Sequence, residues 1–320
     1  MNPYIGHASQ LFGVEEHRLV GGKGDGMRIF EIHNGKGIDL TVCADRCADI
    51  SRLRFKGQNL SYMTACGYVA PAYYDSIGAN WLNSFTAGFL TTCGFQNVGI
   101  PNEDEGEELS LHGSIGNTPC EHIYYREEGD ELNIYATVKD ETIFGRKLVL
   151  ERKISVSTKE NVIVITDKIL NTGDMDEQVG ILYHMNMGYP LLDEDSIITI
   201  PSTQVIARNA HAQEDIENWM KVEKPTPHYE ERCYYHYFKD GNGYASIEQP
   251  KSGMKLEISY DAKTLDHFVQ WKMMGVRDYV MGLECGNTLP EGRAEMRRRG
   301  QLKFVKPGES LDYKVTIRLS

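Results

Sequence analysis

The chain has 320 residues, a formal net charge of −12, 41% hydrophobic residues and 25% charged residues. These are ordinary globular proportions, so fibrous and disordered classes are excluded, and the length buries a real core as one large or two ordinary domains. The acidic balance argues against nucleic acid or an anionic membrane as partner, because phosphate binding needs a concentrated positive surface.

No apolar run approaches a membrane span. The start, Met1-Asn2-Pro3-Tyr4-Ile5-Gly6-His7, has neither the basic region nor the apolar core of a secretory signal. Cysteines stand at 43, 47, 66, 93, 120, 233 and 285, an odd and scattered set. Cys43 and Cys47 have no second pair at zinc-site spacing. Free thiols in a reducing cytoplasm are expected, with no metal and no cofactor.

In chain order, the hydrophobic period is mostly two. Met27 to His33 leads through Asn34-Gly35, a hairpin turn pair, into Ile38 to Cys43. Asp45-Arg46-Cys47-Ala48-Asp49-Ile50 is a charged cluster at a strand end, where scaffolds present binding groups. Between Cys66 and Asp104, glycines alternate with aromatics such as Tyr68, Trp81, Phe85 and Phe95, which predicts loops and short strands. Rings beside Thr91, Thr92, Gln96 and Asn97 suit a sugar face, and ordinary loop packing is the alternative.

Residues 147–156 and 161–170 read as an antiparallel pair, each with one charge on an apolar face. Folding them together sets Arg152 against Asp167, and a structural, bidentate cross-strand pair is expected. From Pro201 to Tyr237 strand character lapses into a polar excursion with one or two helical turns. Strands resume at Met254, at Phe268 to Met273 and at Tyr279 to Glu284, and Leu311 to Leu319 alternates to the end. No long helix alternates with these strands. There is no phosphate loop, no His-Glu-x-x-His helix and no nucleophile elbow. The pattern predicts an all-β fold with few short helices: one domain over 1–320, with 1–25 as an N-terminal extension.

The most informative stretch is Gly180-Ile181-Leu182-Tyr183-His184-Met185-Asn186-Met187-Gly188-Tyr189-Pro190. Strand alternation points His184 and Asn186 one way and Tyr183, Met185 and Met187 the other. A core histidine satisfied by one hydrogen bond is the plain alternative. A second histidine in Leu111-His112-Gly113 and a carboxylate in Gly282-Leu283-Glu284 occupy similar apolar or glycine-bounded contexts. Should the three converge, they can bind a metal or move protons. Anomer interconversion needs a base at the C1 hydroxyl and an acid at the ring oxygen. Glu284 suits the base, one histidine the acid, and the other a hydroxyl or ring-oxygen ligand.

These motifs resemble, in order and separation, those of the aldose 1-epimerase (galactose mutarotase) family. The closest likeness is to a divergent bacterial branch carrying Thr-Thr-Cys-Gly (Thr91 to Gly94) and Tyr-His-x-Asn-x-Gly-Tyr-Pro (Tyr183 to Pro190). The resemblance covers roughly residue 25 to the end. It implies a large antiparallel β-supersandwich with an open cleft, His184 as general acid, Glu284 as general base and His112 as ligand of the ring oxygen or a hydroxyl. Three departures put the substrate in question. Tyr183 stands where the family has Asn, Asn186 comes sooner, and Cys285-Gly286-Asn287 follows Glu284 in place of Thr-Gln.

The family's sugar-site arginine has no clear match, and Arg46 is the candidate substitute. Asn97, Asn186, Trp271 and Lys272 complete the expected substrate contacts, with a packing Trp and a solvated Lys as the alternatives. The expected function is a cofactor-free aldose 1-epimerase acting on an aldose or modified aldose. A metal-assisted sugar epimerase or isomerase, and a non-catalytic carbohydrate-binding protein, are the alternatives. The expected partner is a small carbohydrate; a homodimer is allowed, and nothing in the sequence argues for it.

Overall fold

The computed structural model describes residues 3–320, and Met1 and Asn2 of the stretch read for a leader lie outside it. Three antiparallel sheets carry the architecture. A five-stranded sheet runs in chain order through Gly13–Arg18, Arg28–His33, Ile38–Cys43, Asp49–Phe55 and Gln58–Asn59. Its edge strand, Gly13–Arg18, comes from within the expected N-terminal extension and pairs with Arg28–His33.

The eight-stranded sheet begins with three meander connections from His122–Glu128 to Val162–Asn171. It continues through the C-terminal strand Ser310–Leu319 to Met254–Asp261, Asn242–Gln249 and Ile197–Thr199. In Glu131–Glu141 and Val162–Asn171, buried and exposed positions largely alternate, so each strand gives one face to the core.

The six-stranded sheet decides where the chemistry goes. Its order is Gln204–Ala207, Arg232–Tyr237, His267–Met274, Tyr279–Gly286, Gly180–Met187 and Leu90–Phe95. Gly180–Met187 and Tyr279–Gly286 are buried at every position, because both faces of this sheet are covered. Tyr183, Met185, Met187, Met281, Leu283, Cys285 and Phe268 join the main core shared with the other two sheets. Leu182, Val269 and Tyr235, on the other face, pack with Trp81 and Phe85 in a separate apolar cluster. The expected split of the His184 strand into two faces is what the structure contains.

Arg152 and Asp167 pair across the 147–157 and 162–171 strands, as expected. Arg152 Nε and Nη2 donate to the two Asp167 oxygens at 2.9 and 2.7 Å. Nη1 reaches the Cys47 carbonyl at 3.0 Å and Asp49 Oδ1 at 2.9 Å. Asp49 accepts from Thr92 N and Oγ1 in the six-stranded sheet, and the Tyr183 hydroxyl donates to Asp167 at 2.8 Å. One buried guanidinium thus links all three sheets, and Tyr183, the residue beside His184, is part of the network. Burial pushes the Asp49 carboxyl up to about 6, against the pull of Arg152.

The structure differs from expectation between 201 and 237. Gln204–Ala207 and Arg232–Tyr237 are both strands of the six-stranded sheet, with the helix Ala210–Gln213 and a 3₁₀ turn at Ile216–Asn218 between them. Arg232–Tyr237 is covered on both faces, so its Tyr and His residues show no apolar alternation for a periodicity argument to detect.

Candidate active site

The backbone register explains why His184 meets Glu284. Tyr183 pairs with Cys285 and Asn186 with Gly282, which sets His184 across from Glu284 on the same face. His184 Nε2 lies 3.3 Å from Glu284 Oε1, and both side chains are almost fully buried. On Glu284's other side, Val269 pairs with Glu284 and Trp271 with Gly282, so Trp271 stands beside the pair. Gly282 leaves room for the carboxylate: a Cβ on it would collide with Glu284 Oε1.

His112 arrives from a loop. It adopts φ +55°, and Gly113 follows at φ +69°, where a Cβ would collide with the Gly94 carbonyl oxygen. The Leu-His-Gly sequence is therefore a left-handed turn that presses the His112 ring toward the sheet. Gly99 N donates to His112 Nδ1 at 3.3 Å, which leaves the proton of the neutral ring on Nε2. The His112 and His184 rings meet edge-on with centroids 5.5 Å apart. Trp81, stacked on Phe85 at 4.6 Å, and Trp271, at 5.3 Å from His184, complete an aromatic wall. The pocket so formed has a volume of about 300 Å³, with Arg208, Glu231 and Cys233 also lining it.

Burial dominates the electrostatics. It raises the Glu284 carboxyl well above the usual range, with Glu231 adding to the rise and Arg208 opposing it. It lowers His184 to about 4, partly offset by the Asn186 carboxamide. It drives His112 well below its ordinary value, helped by His184 and Arg208. Both directions at the pair favour its uncharged form, a carboxylic acid beside a neutral imidazole. Moving that one proton from Glu284 to His184 turns the same pair into carboxylate and imidazolium, so the proton belongs to the pair. His184 Nδ1 and Glu284 Oε1 have no protein hydrogen-bond partner.

The structure brings together His112, His184, Glu284 and Trp271, and sends the other expected contacts elsewhere. Arg46 is buried outside this pocket, where its guanidinium holds the Gly116, Val69 and Ser84 carbonyls at 2.6, 3.0 and 2.8 Å. It ties three backbone segments together, away from His184 and Glu284. Asn97 also serves backbone, donating to the Ile100 and Ser110 carbonyls and accepting from Arg293 N, so it shapes the turn behind His112. Asn186 is fully buried and donates to the His184 carbonyl at 2.9 Å, which holds the strand that carries the histidine. Lys272 follows Trp271 and so points through the other face, where its Nζ meets Glu223 at 3.1 Å.

Arg208 and Glu231 are the residues that sequence reasoning missed. Arg208 Nη2 donates to the Pro290 carbonyl at 3.3 Å, and Nη1 lies 3.8 Å from Glu231. Glu231 accepts from Trp271 Nε1 at 2.7 Å. An arginine just past an apolar strand, Gln204-Val205-Ile206-Ala207, was the available signal. Among the described residues, no group of three or more His, Cys, Asp or Glu side chains is placed to hold a metal ion.

Residues 24–319 match the model of a family described as a domain of unknown function, DUF4432. The chain belongs to the DUF4432 family. No curated protein matches this DUF4432 chain in sequence. Among solved structures, it is similar to a candidate aldose 1-epimerase from Klebsiella pneumoniae, at 23% identity and a TM-score of 0.90, covering 97% of this chain and 85% of that one. A galactose mutarotase-like protein from Clostridium acetobutylicum matches at 13% identity and a TM-score of 0.68, covering 97% and 99%. Galactose 1-epimerase from Lactobacillus acidophilus matches at 12% identity and 0.67, again over 97% and 99%. The fold of this DUF4432 chain is therefore the galactose mutarotase-like β-supersandwich, in a divergent branch. No helix among the described residues is long and apolar enough to cross a membrane.

Proposed function

We propose that the chain is an aldose 1-epimerase acting on an aldose or modified aldose by acid–base ring opening, without a cofactor. The observation that carries this reading is the buried His184–Glu284 contact of 3.3 Å in a pocket walled by aromatic rings. In the ion-pair form, Glu284 takes the proton from the C1 hydroxyl while His184 gives its proton to the ring oxygen. The C1–O5 bond breaks, C1=O1 forms, and the pair is left as carboxylic acid and neutral imidazole. The aldehyde rotates about C1–C2, and the same two transfers in reverse close the other anomer. No net proton is gained or lost, which suits a pair with little exposure to solvent.

The neutral His112, with its Nε2–H, is suited to donate to the ring oxygen or a hydroxyl. Trp271 and Trp81 offer ring faces to the C–H side of a sugar, and Arg208 supplies the cation expected at such a site. All seven cysteines are free thiols, which supports action in a reducing, cytoplasmic setting.

The test is the rate of anomer equilibration for a panel of aldoses and uronates, followed by polarimetry or NMR with wild type and Glu284→Gln. Acceleration of one sugar, lost by about 10³-fold or more in the variant, is expected. Sugar binding without acceleration of any anomer would replace this reading by a carbohydrate-binding one.

A further inference from the structure

A second cleft, of about 470 Å³, lies apart from the pocket around His184 and is lined by Arg52, Arg54, Arg277, Tyr62, Tyr189 and Tyr279 among others. It sits at one end of the two strands that carry the site. Tyr189 comes two residues after Gly180–Met187, and Tyr279 opens Tyr279–Gly286. Arg52 and Arg54 are two apart in Asp49–Phe55, either side of the buried Leu53, so they share its outward face. Arg277 approaches from the turn before Tyr279, at φ +71°.

Among the described residues, these three are the arginines whose guanidinium has neither an ion pair nor a hydrogen bond; the Arg52 guanidinium rests over the Tyr68 ring at 5.5 Å. Every other arginine of the chain has at least one such partner. That contrast needs a reason in a chain with 46 acidic and 34 basic residues, where carboxylates are in surplus. Three like charges lining one cleft repel one another, and an anion between them reverses the sign of the interaction. Asp278, at the edge, accepts from the Tyr62 hydroxyl at 3.1 Å. Asn59 is held with its Nδ2 on the Ser61 and Tyr189 carbonyls, which fixes the Tyr189 loop against the arginine strand.

We propose that this cleft is a binding site for a small organic phosphate. Guanidinium groups match phosphate oxygens in forked, two-bond geometry, and Tyr62, Tyr189 and Tyr279 in the lining give the organic part aromatic surface to pack on. Inorganic phosphate alone would leave most of the cleft empty. The site is independent of the chemistry at His184, and its test reads binding, so the two readings fail separately.

Isothermal titration of the full chain at about 0.15 M ionic strength, with glucose 6-phosphate, AMP, inorganic phosphate and glucose, tests it. At least one of the two organic phosphates is expected to bind saturably and more tightly than inorganic phosphate, and which one binds distinguishes a sugar phosphate from a nucleotide. The Arg54→Gln/Arg277→Gln double variant is expected to weaken that binding about tenfold or more. Its melting temperature and its anomerisation rate without phosphate should match wild type, because both side chains are exposed. Binding that is unchanged in the double variant would put the phosphate elsewhere, including the His184 pocket, and overturn the proposal. So would the absence of heat from either organic phosphate, or displacement by sulfate at equal concentration.

Discussion

Arg152 and Asp167 face each other across two neighbouring strands with paired bonds of 2.9 and 2.7 Å, both side chains fully enclosed. The pair does more than neutralise itself. Asp167 also accepts from Tyr183, and Arg152 also serves Asp49, so the ion pair is the centre of a four-residue network spanning three sheets. Removing one partner leaves a charge that burial does not allow to hydrate.

Arg152→Met is therefore expected to destabilise the protein by about 3–5 kcal/mol, since Asp167 is then buried without its cation and Asp49 loses the one bonded to it. Asp167→Leu should cost a comparable amount, and the double variant far less than the sum. Urea unfolding of the four proteins gives the coupling energy, expected above about 1 kcal/mol. A coupling near zero would mean that Asp49 and Tyr183 hold Arg152 without help from Asp167.

A contrasting prediction concerns a position where the fold tolerates change and the chemistry does not. Gly282 has no side chain because Glu284 Oε1 occupies the space where its Cβ would stand. Gly282→Ala must push the carboxylate aside, away from His184. Because the obstacle is a side chain, the strand itself can persist, and a fall in melting temperature of only a few degrees is expected. The anomerisation rate should drop about 10²-fold or more, since a misplacement of about 1 Å is enough for that. Equal loss of stability in Gly282→Ala and Gly113→Ala would count against this distinction, because Gly113 abuts backbone at positive φ.

Which parts of this site the sequence revealed follows from how each residue is held. His184 and Asn186 share a face because strands alternate, and that rule needs only the residues themselves. The Arg152–Asp167 pair was legible for the same reason, with one turn setting the register. Arg46 falls outside the pocket because its partners are carbonyls from Gly116, Val69 and Ser84, whose convergence is a tertiary fact with no local trace. Lys272 is different: alternation alone forbids it and Trp271 from entering one pocket, so that error was avoidable. Arg208 and Glu231 escaped notice because the strand between them and Trp271, Arg232–Tyr237, is covered on both faces and shows no period. Convergence of His112 with His184 was legible only through the family likeness, since a left-handed turn at residue 112 directs that ring and periodicity does not predict it.

The shared proton of the pair gives a prediction in stability against pH. His184 titrates at about 4 when folded, against an ordinary value near 6.5 when unfolded. A group lowered in this way contributes stability that is fully present above pH 6.5. The contribution is lost as the pH falls from about 6.5 toward 4, because the unfolded chain takes up the proton first. His184→Gln lacks this contribution, so the stability advantage of wild type over this variant should shrink through that window. Glu284, raised by burial, has the opposite sign: its contribution is lost as the pH rises above its unfolded value, and Glu284→Gln should flatten that alkaline-going decline. Urea unfolding at half-unit steps from pH 4 to 8 measures both. A difference between wild type and His184→Gln that stays flat from 6.5 to 4 would mean that the empty pocket already holds its proton on His184. Glu284 would then be the carboxylate before any sugar arrives.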